Sequence, residues 1–313
     1  MTRFLLRRIL IEMPLSLLVI FTLTFFLIRL APGGPFSAEK SVSPQVLHEL
    51  KRHYGLDKPL PVQYVGYLGS LVRGDLGPSF KYPGRKVTEL IAESFPVSFE
   101  LGCYALIFAL LFGCTAGMIA AAKNGTRFDF LLMSFSMAGI CIPSFVLGPL
   151  LVLVFGVLLG WLPVAGWSSP ADRVLPSITL GLVYVAYIAR MMRGSMLEVL
   201  VQDYIRTARA KGLSEGRILI RHALRGAVVP VVSFLGPAAA GLITGSFVVE
   251  TIFSIPGLGR FFVTAAFNRD YTLIMGTVVF YAVIIMVFNM LVDILLAVLD
   301  PRVRSMGGGV RGG

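Results

Sequence analysis

Residues 130–171 read FLLMSFSMAGICIPSFVLGPLLVLVFGVLLGWLPVAGWSSPA, and no charged side chain occurs between Asp129 and Asp172. The stretch is long enough for one membrane crossing with a turn after it, or for two short crossings and a turn. That choice sets the side of the membrane for everything downstream. Cations decide it. Arg3, Arg7 and Arg8 precede the first apolar run, KNGTRFD (123–129) precedes this one, and eight Lys/Arg lie from Arg190 to Arg225. One crossing places these groups and the tail RVRSMGGGVRGG on the same side. Two crossings would move the eight cations away from the N-terminal ones, against the positive-inside tendency for loops this short.

Composition agrees with a membrane protein. The chain is 56% hydrophobic and 14% charged, with a mean hydropathy of +0.81; soluble domains carry about a quarter charged residues. Apolar runs recur that can each cross about 30 Å of hydrocarbon as a helix. They are continuous rather than alternating, which favours helices over barrel strands. The sequence therefore predicts an all-α polytopic membrane protein. Its six transmembrane helices fall near 9–30, 95–122, 130–159, 174–193, 227–249 and 273–299, with both termini cytoplasmic. The first run ends in RLAPGGP without an A-x-A-like site and reads as a retained span. Pro143 and Pro149 should kink the third span. Residues 156–170 should turn at the far interface, with Trp161 and Trp167 at that boundary.

Several functions are excluded or weakened. The net charge of +11 does not indicate nucleic acid, because the cations cluster between apolar runs rather than on a soluble surface. Cys103, Cys114 and Cys141 fall in predicted spans and read as small packing residues. His48 and His53 have no third ligand nearby, so no metal site is expected. No G-x-x-x-x-G-K-[ST] loop is present, and none of the seven lysines follows a glycine. The chain by itself should neither bind a nucleotide cofactor nor act as an enzyme.

The loop 31–94 is long enough to suggest a function. Within it, SPQVLHELKRHYGL predicts a helix with Ser43 as N-cap, Pro44 first and Gly55 after the end. The segment RTARAKGLSEGRILIRHAL (206–224) is basic and helix-prone. Asp203 should cap a helix ending at Lys211, with Gly212 in the left-handed C′ position. Ser214 should start a second helix, with Glu215 in its first turn and Arg225 in its last. Arg217, Arg221 and Arg225 share one stripe. Three readings remain open for this segment: contact with anionic lipid, an anionic ligand site, or docking of a cytoplasmic protein.

Three further features stand out. Gly241 and Gly245, beside Ala238–Ala240, suit close helix packing or the lining of a path. IPGLG (255–259) is a tight turn, flanked by Glu250 and Arg260, which are placed to pair or to meet partner charges. Asp293 in the last span, with Asn289 one turn away, reads as a structural polar pair or as part of a proton relay. Residues after Ser305 read as a disordered tail.

The basic segment resembles the "EAA" loop of binding-protein-dependent ABC importers. Arg206 stands where that pattern has glutamate, Thr207 and Ala208 where it has alanines, and Gly212 is its glycine; Pro230 answers to the downstream proline at wider spacing. DYIRTARAKG with RHAL is similar to the variant in peptide-importer permeases. APGGPF, GDLGPSFKY, GPAAAGLITGSFVVETIFSIPGLG and NRDYTL resemble the B-type permease of oligopeptide importers. The likeness covers roughly residues 1–304.

The resemblance implies a type I ABC importer permease fold in a bacterial plasma (inner) membrane. Residues 1–94 would form the first helix and a periplasmic loop, 95–300 the permease domain and 301–313 a cytoplasmic tail. It implies ATPase coupling through Arg206, Thr207, Ala208, Arg209, Ala210, Lys211, Gly212, Arg217 and Arg221. Glu250, Pro256, Gly257 and Gly259 would lie at the outer mouth, near a docked binding protein. The implied partners are a second permease, two ATPase subunits carrying ATP and Mg, an extracytoplasmic peptide-binding protein, the peptide, and membrane lipid. A dipeptide or nickel importer of the same family is the nearest alternative; an independent secondary transporter is a further one.

Overall fold

The computed structural model describes residues 6–31, 33–36 and 44–299. Arg3, Ser43 and the glycine-rich tail, on which part of the sequence reading rests, lie outside them. Among the described residues every regular element is a helix, and the one β-bridge, Pro78 to Lys86, is isolated. Five helical stretches are long and apolar enough to cross a membrane: Arg8–Leu30 (α1), Val87–Ala122 (α4), Pro170–Leu200 (α7), Val229–Ile252 and Tyr271–Leu295. The sixth candidate is a pair, Arg127–Cys141 (α5) and Ser144–Leu158 (α6), bent by 107°.

The expected kink in the third span is thus a sharp break. Ile142 and Pro143 are extended, with ψ of 114° and 143°, because the residue before a proline is driven out of the helical region. Each arm has 15 residues, about 22 Å of helix and too short to cross alone. Six spans are counted when the pair is taken as one.

The described chain forms two compact units. One comprises Ser98–Pro256 and the chain from Ile285 on. Its core gathers Ile188, Met192 and Met196 of α7 with Ile205, Ile218 and Ala223, all fully buried. A partly buried ion pair ties α5 to α7: Arg193 donates to both oxygens of the buried Asp129 carboxylate, at 2.7 and 2.8 Å. Asp129 also accepts from the Gly125 amide and sits in the first turn after the Thr126 N-cap. At the opposite end of α7, Arg173 donates to Glu100 at 2.6 Å and stacks over Trp167, whose indole N–H also reaches Glu100.

The other unit comprises the chain up to Val97 with Gly257–Ile284. Phe21 and Phe25 of α1 are fully buried and pack with Met275 and Val279. The helix foreseen in the long loop is present as Pro44–His53 (α2), and Gly55 is left-handed at φ +65°. A second loop helix, Leu60–Val72 (α3), was not foreseen. Leu258–Asn268 (α12) packs with Val87, Leu90 and Ile91. Those three share one helical face, so α4 starts eight residues earlier than hydropathy placed it, despite Glu89, Glu93 and Pro96.

Other boundaries also moved. α7 runs to Leu200 rather than to 193. The fifth span is not continuous: Val229–Ile243 (α10) and Phe247–Ile252 (α11) are separated at Thr244–Ser246. The last helix, α13, runs Tyr271–Leu299.

Candidate functional site

The basic segment folds as a tight helical hairpin. Its first arm is Asp203–Ala210 (α8), and its N-cap is Gln202, so Asp203 lies in the first turn rather than at the cap. A carboxylate still suits that position, since the helix N-terminus carries partial positive charge. Gly212 has φ +76°. Its amide bonds the Arg209 carbonyl and the Leu213 amide bonds the Ala208 carbonyl. These are the two bonds of a Schellman stop.

The second arm starts at Glu215 after Ser214 and continues through a π-helical stretch, Ile218–Ala223, to Ala227. It runs almost directly into α10 instead of ending as a separate short helix. Arg209 closes the hairpin from outside, donating to both oxygens of Glu215 at 2.9 and 3.3 Å. That pair holds the Glu215 carboxyl below its ordinary range and raises the Arg209 guanidinium.

Inside and outside are sharply divided. Ile205, Ala208, Ile218 and Ala223 face the chain's own core. Arg206, Thr207, Arg209, Ala210, Lys211, Gly212, Arg217, Arg221 and Arg225 are exposed. The arginine stripe is therefore present as the spacing indicated. Ala208 is placed differently: its small side chain is buried in the chain's own core, leaving no room for a partner at that atom.

The two membrane glycines do not act as one motif. Gly241 lies on α10, where a Cβ would fall 2.6 Å from the Tyr184 phenol oxygen. Gly245 is outside the helix, with φ +84°, in the break before α11. A Cβ there would strike Glu250. Glu250 is fully buried and accepts a 2.7 Å hydrogen bond from the buried Ser98 hydroxyl. The structure thus puts Glu250 inside the chain, where it faces Ser98 rather than an outer partner. Within the other unit, Gly257 and Gly259 are buried and Arg260 is exposed; Pro256 is exposed in the first. In α13, Asn289 and Asp293 are both half-buried, and Asn289 lies where a Cβ on Gly236 would be 2.7 Å from its Oδ1.

The model of the binding-protein-dependent transport system inner membrane component family matches residues 113–305, and the model of its N-terminal region matches 1–102. The chain belongs to this family. It is 49% identical over 306 residues to the oligopeptide transport system permease protein OppB of Haemophilus influenzae, covering 97% of this chain and 100% of that one. It is 48% identical over the same length to OppB of Escherichia coli K12. The dipeptide transport system permease protein DppB of Bacillus subtilis is 46% identical over 304 residues, covering 97% and 98%. Among solved structures, the inward-facing MetNI methionine ABC transporter aligns at TM-score 0.56 and 16% identity, over 68% of this chain and 97% of that one. That likeness establishes the type I importer permease fold. The permease is a multi-pass inner-membrane transport component and not an enzyme.

Sequence reading missed three polar centres of this permease: Arg193 with Asp129, Ser98 with Glu250, and a loop knot at Asp270. The last binds two stretches quoted separately above. Asp270, fully buried, accepts from the Ser79 hydroxyl and from the amides of Phe80 and Lys81 at 3.0 and 3.2 Å. Its other oxygen accepts from Thr272 and from the Leu273 amide, capping α13. Only the short polar residues in GPSFKY and NRDYTL hinted at it.

Proposed function

We propose that this permease forms, with a second related permease, the path of an ATP-driven peptide importer, and that oligopeptides are its substrates. The full-length 49% identity to an oligopeptide permease carries the reading. In this reading both termini and residues 194–226 face the cytoplasm, where the hairpin 203–227 docks on an ATPase subunit. ATP and Mg act on two such subunits, because this chain has no phosphate-cradling loop. An extracytoplasmic binding protein delivers peptide to the opposite side, where residues 31–94 and 250–272 lie. Exposed Arg206, Arg209, Ala210 and Lys211 at the hairpin tip support the docking role, since they can reach a partner without disturbing the core.

A dipeptide substrate is the second reading, because the dipeptide permease relative is nearly as similar, at 46%. Reconstitution of the complete complex in proteoliposomes tests both. Uptake of peptides of increasing length, dependent on ATP and binding protein, is expected to favour oligopeptides over dipeptides. Uptake restricted to dipeptides would select the second reading, and no ATP-dependent uptake of either would defeat both.

A further inference from the structure

A recess of about 380 Å³ opens between α6, α7 and α10 in the first compact unit. It lies at mid-span. Ser144 adjoins the α5–α6 break, Tyr184 and Tyr187 flank the centre of Pro170–Leu200, and Pro237 and Ala238 are within about a turn of the centre of Val229–Ile252. Leu180, Val183, Tyr184 and Tyr187 recur at i, i+3, i+4 and i+7 along one face of α7. Phe234, Pro237, Ala238 and Gly241 repeat that pattern on α10. The Phe234 ring lies 6.3 Å from Tyr184 and 6.0 Å from Tyr187.

Two observations set this face apart from one that meets lipid. Neither phenol oxygen has a hydrogen-bond partner among the described residues, and Tyr187 is 43% exposed. Hydroxyls without partners at this depth are costly against hydrocarbon. The second is the extended backbone at Ile142–Pro143, beside Ser144. Non-helical backbone in the middle of a membrane is tolerated where protein covers it or where it lines a water-filled space.

We infer that this recess lines the translocation path and receives an apolar or aromatic side chain of the peptide in transit. The inference rests on the peptide-import reading and adds the residues and the side-chain class. The rings of Tyr184, Tyr187 and Phe234 supply stacking surfaces, while the phenols and the Ser144 hydroxyl supply hydrogen bonds to the peptide backbone. Gly241 leaves room for the Tyr184 phenol, which a Cβ would displace. The volume suits a side chain with part of its backbone rather than a whole oligopeptide.

The test uses the full complex with a parent chain carrying Cys103→Ala, Cys114→Ala and Cys141→Ala. Tyr187→Cys and Ser144→Cys are exposed to a small, water-soluble methanethiosulfonate, with Ile107→Cys as the apolar mid-span comparison. The recess cysteines are expected to react several-fold faster than Ile107→Cys, and a phenylalanine-containing peptide is expected to slow that reaction. In uptake, Tyr187→Ala should raise KM several-fold for phenylalanine peptides relative to alanine peptides, while Tyr187→Phe retains the preference. A parent complex that assembles and hydrolyses ATP but imports no peptide would refute the peptide-import reading itself. With a parent that imports, recess cysteines as inert as Ile107→Cys would overturn the inference. So would labelling that peptide does not slow, or an unchanged side-chain preference in Tyr187→Ala.

Discussion

Arg209 and Glu215 face each other across the turn at Gly212, joined by two hydrogen bonds on the exposed side of the hairpin. They hold the two arms from outside while Ala208 and Ile218 pack beneath. The pair is a latch on a segment whose shape the core already sets.

Its acid sensitivity follows from the sign of the shift. Glu215 has a lowered folded-state pKa, so its stabilisation is complete above the ordinary carboxylate range and is lost as pH falls through the folded value. An exposed pair contributes about 0.2–1 kcal/mol. Glu215→Gln is expected to lower the melting temperature of the detergent-solubilised chain slightly at pH 7, and the gap from wild type should close between pH 5 and 3. A gap that stays constant over that range would remove the latch.

Small residues on either side of the hairpin should behave differently. Ala208→Glu forces a carboxylate into the core, so it should lower stability by several kcal/mol even without ATPase subunits. Ala210→Glu, on the exposed face, should stay within about 0.5 kcal/mol of wild type yet weaken ATPase binding and uptake. Thermal melts and pull-down of the ATPase separate the two effects. If Ala210→Glu supports full uptake while Arg217→Gln with Arg221→Gln abolishes it, the segment contacts lipid instead, where each cation contributes about 1 kcal/mol.

Asp270 is the acceptor for both the 79–81 loop and the start of α13. Removing it strands buried donors, each at a cost of about 1–3 kcal/mol. Asp270→Ala should therefore expose residues 78–86 to limited proteolysis and lower the melting temperature, with Asp270→Asn intermediate. Wild-type resistance in Asp270→Ala would show that the loop is held by other means.

Topology is testable by thiol labelling in intact, outer-permeabilised cells. Single cysteines at exposed Ser214 and Arg73, in a chain whose native cysteines are replaced, should differ: an impermeant reagent should modify Arg73→Cys and spare Ser214→Cys. Ser79 is unsuitable as the outside probe, being buried against Asp270. Modification of Ser214→Cys would reverse the proposed orientation.

Much of the hairpin was legible in advance. Gly212, Ser214 and the stripe Arg217–Arg221–Arg225 act locally, through backbone conformation and helical spacing, so a single segment of sequence carries the signal. Gly241 does lie at a close approach of two helices, but Gly245 departs from the helical pattern for the opposite reason. Gly241 and Gly245 have helical spacing, but Gly245 lies outside the helix with φ +84°, where a Cβ would strike Glu250 and Ser98. Ser98 is 152 residues from Glu250, and no local pattern links them.

The sequence by itself determined that the chain is helical and membrane-embedded, and it located most of the crossings. Long apolar runs have only one low-energy form in hydrocarbon, in which every backbone group bonds within its own segment. It also located the turn and charged face of the basic hairpin. Tertiary structure alone decided that Ala208 faces inward, that Asp129 pairs with Arg193, that Asp270 binds a loop 190 residues away, and that α5 and α6 are bent by 107° from one another. Each depends on which helices meet and at what distance, and buried polar groups take whatever partner that packing brings within reach.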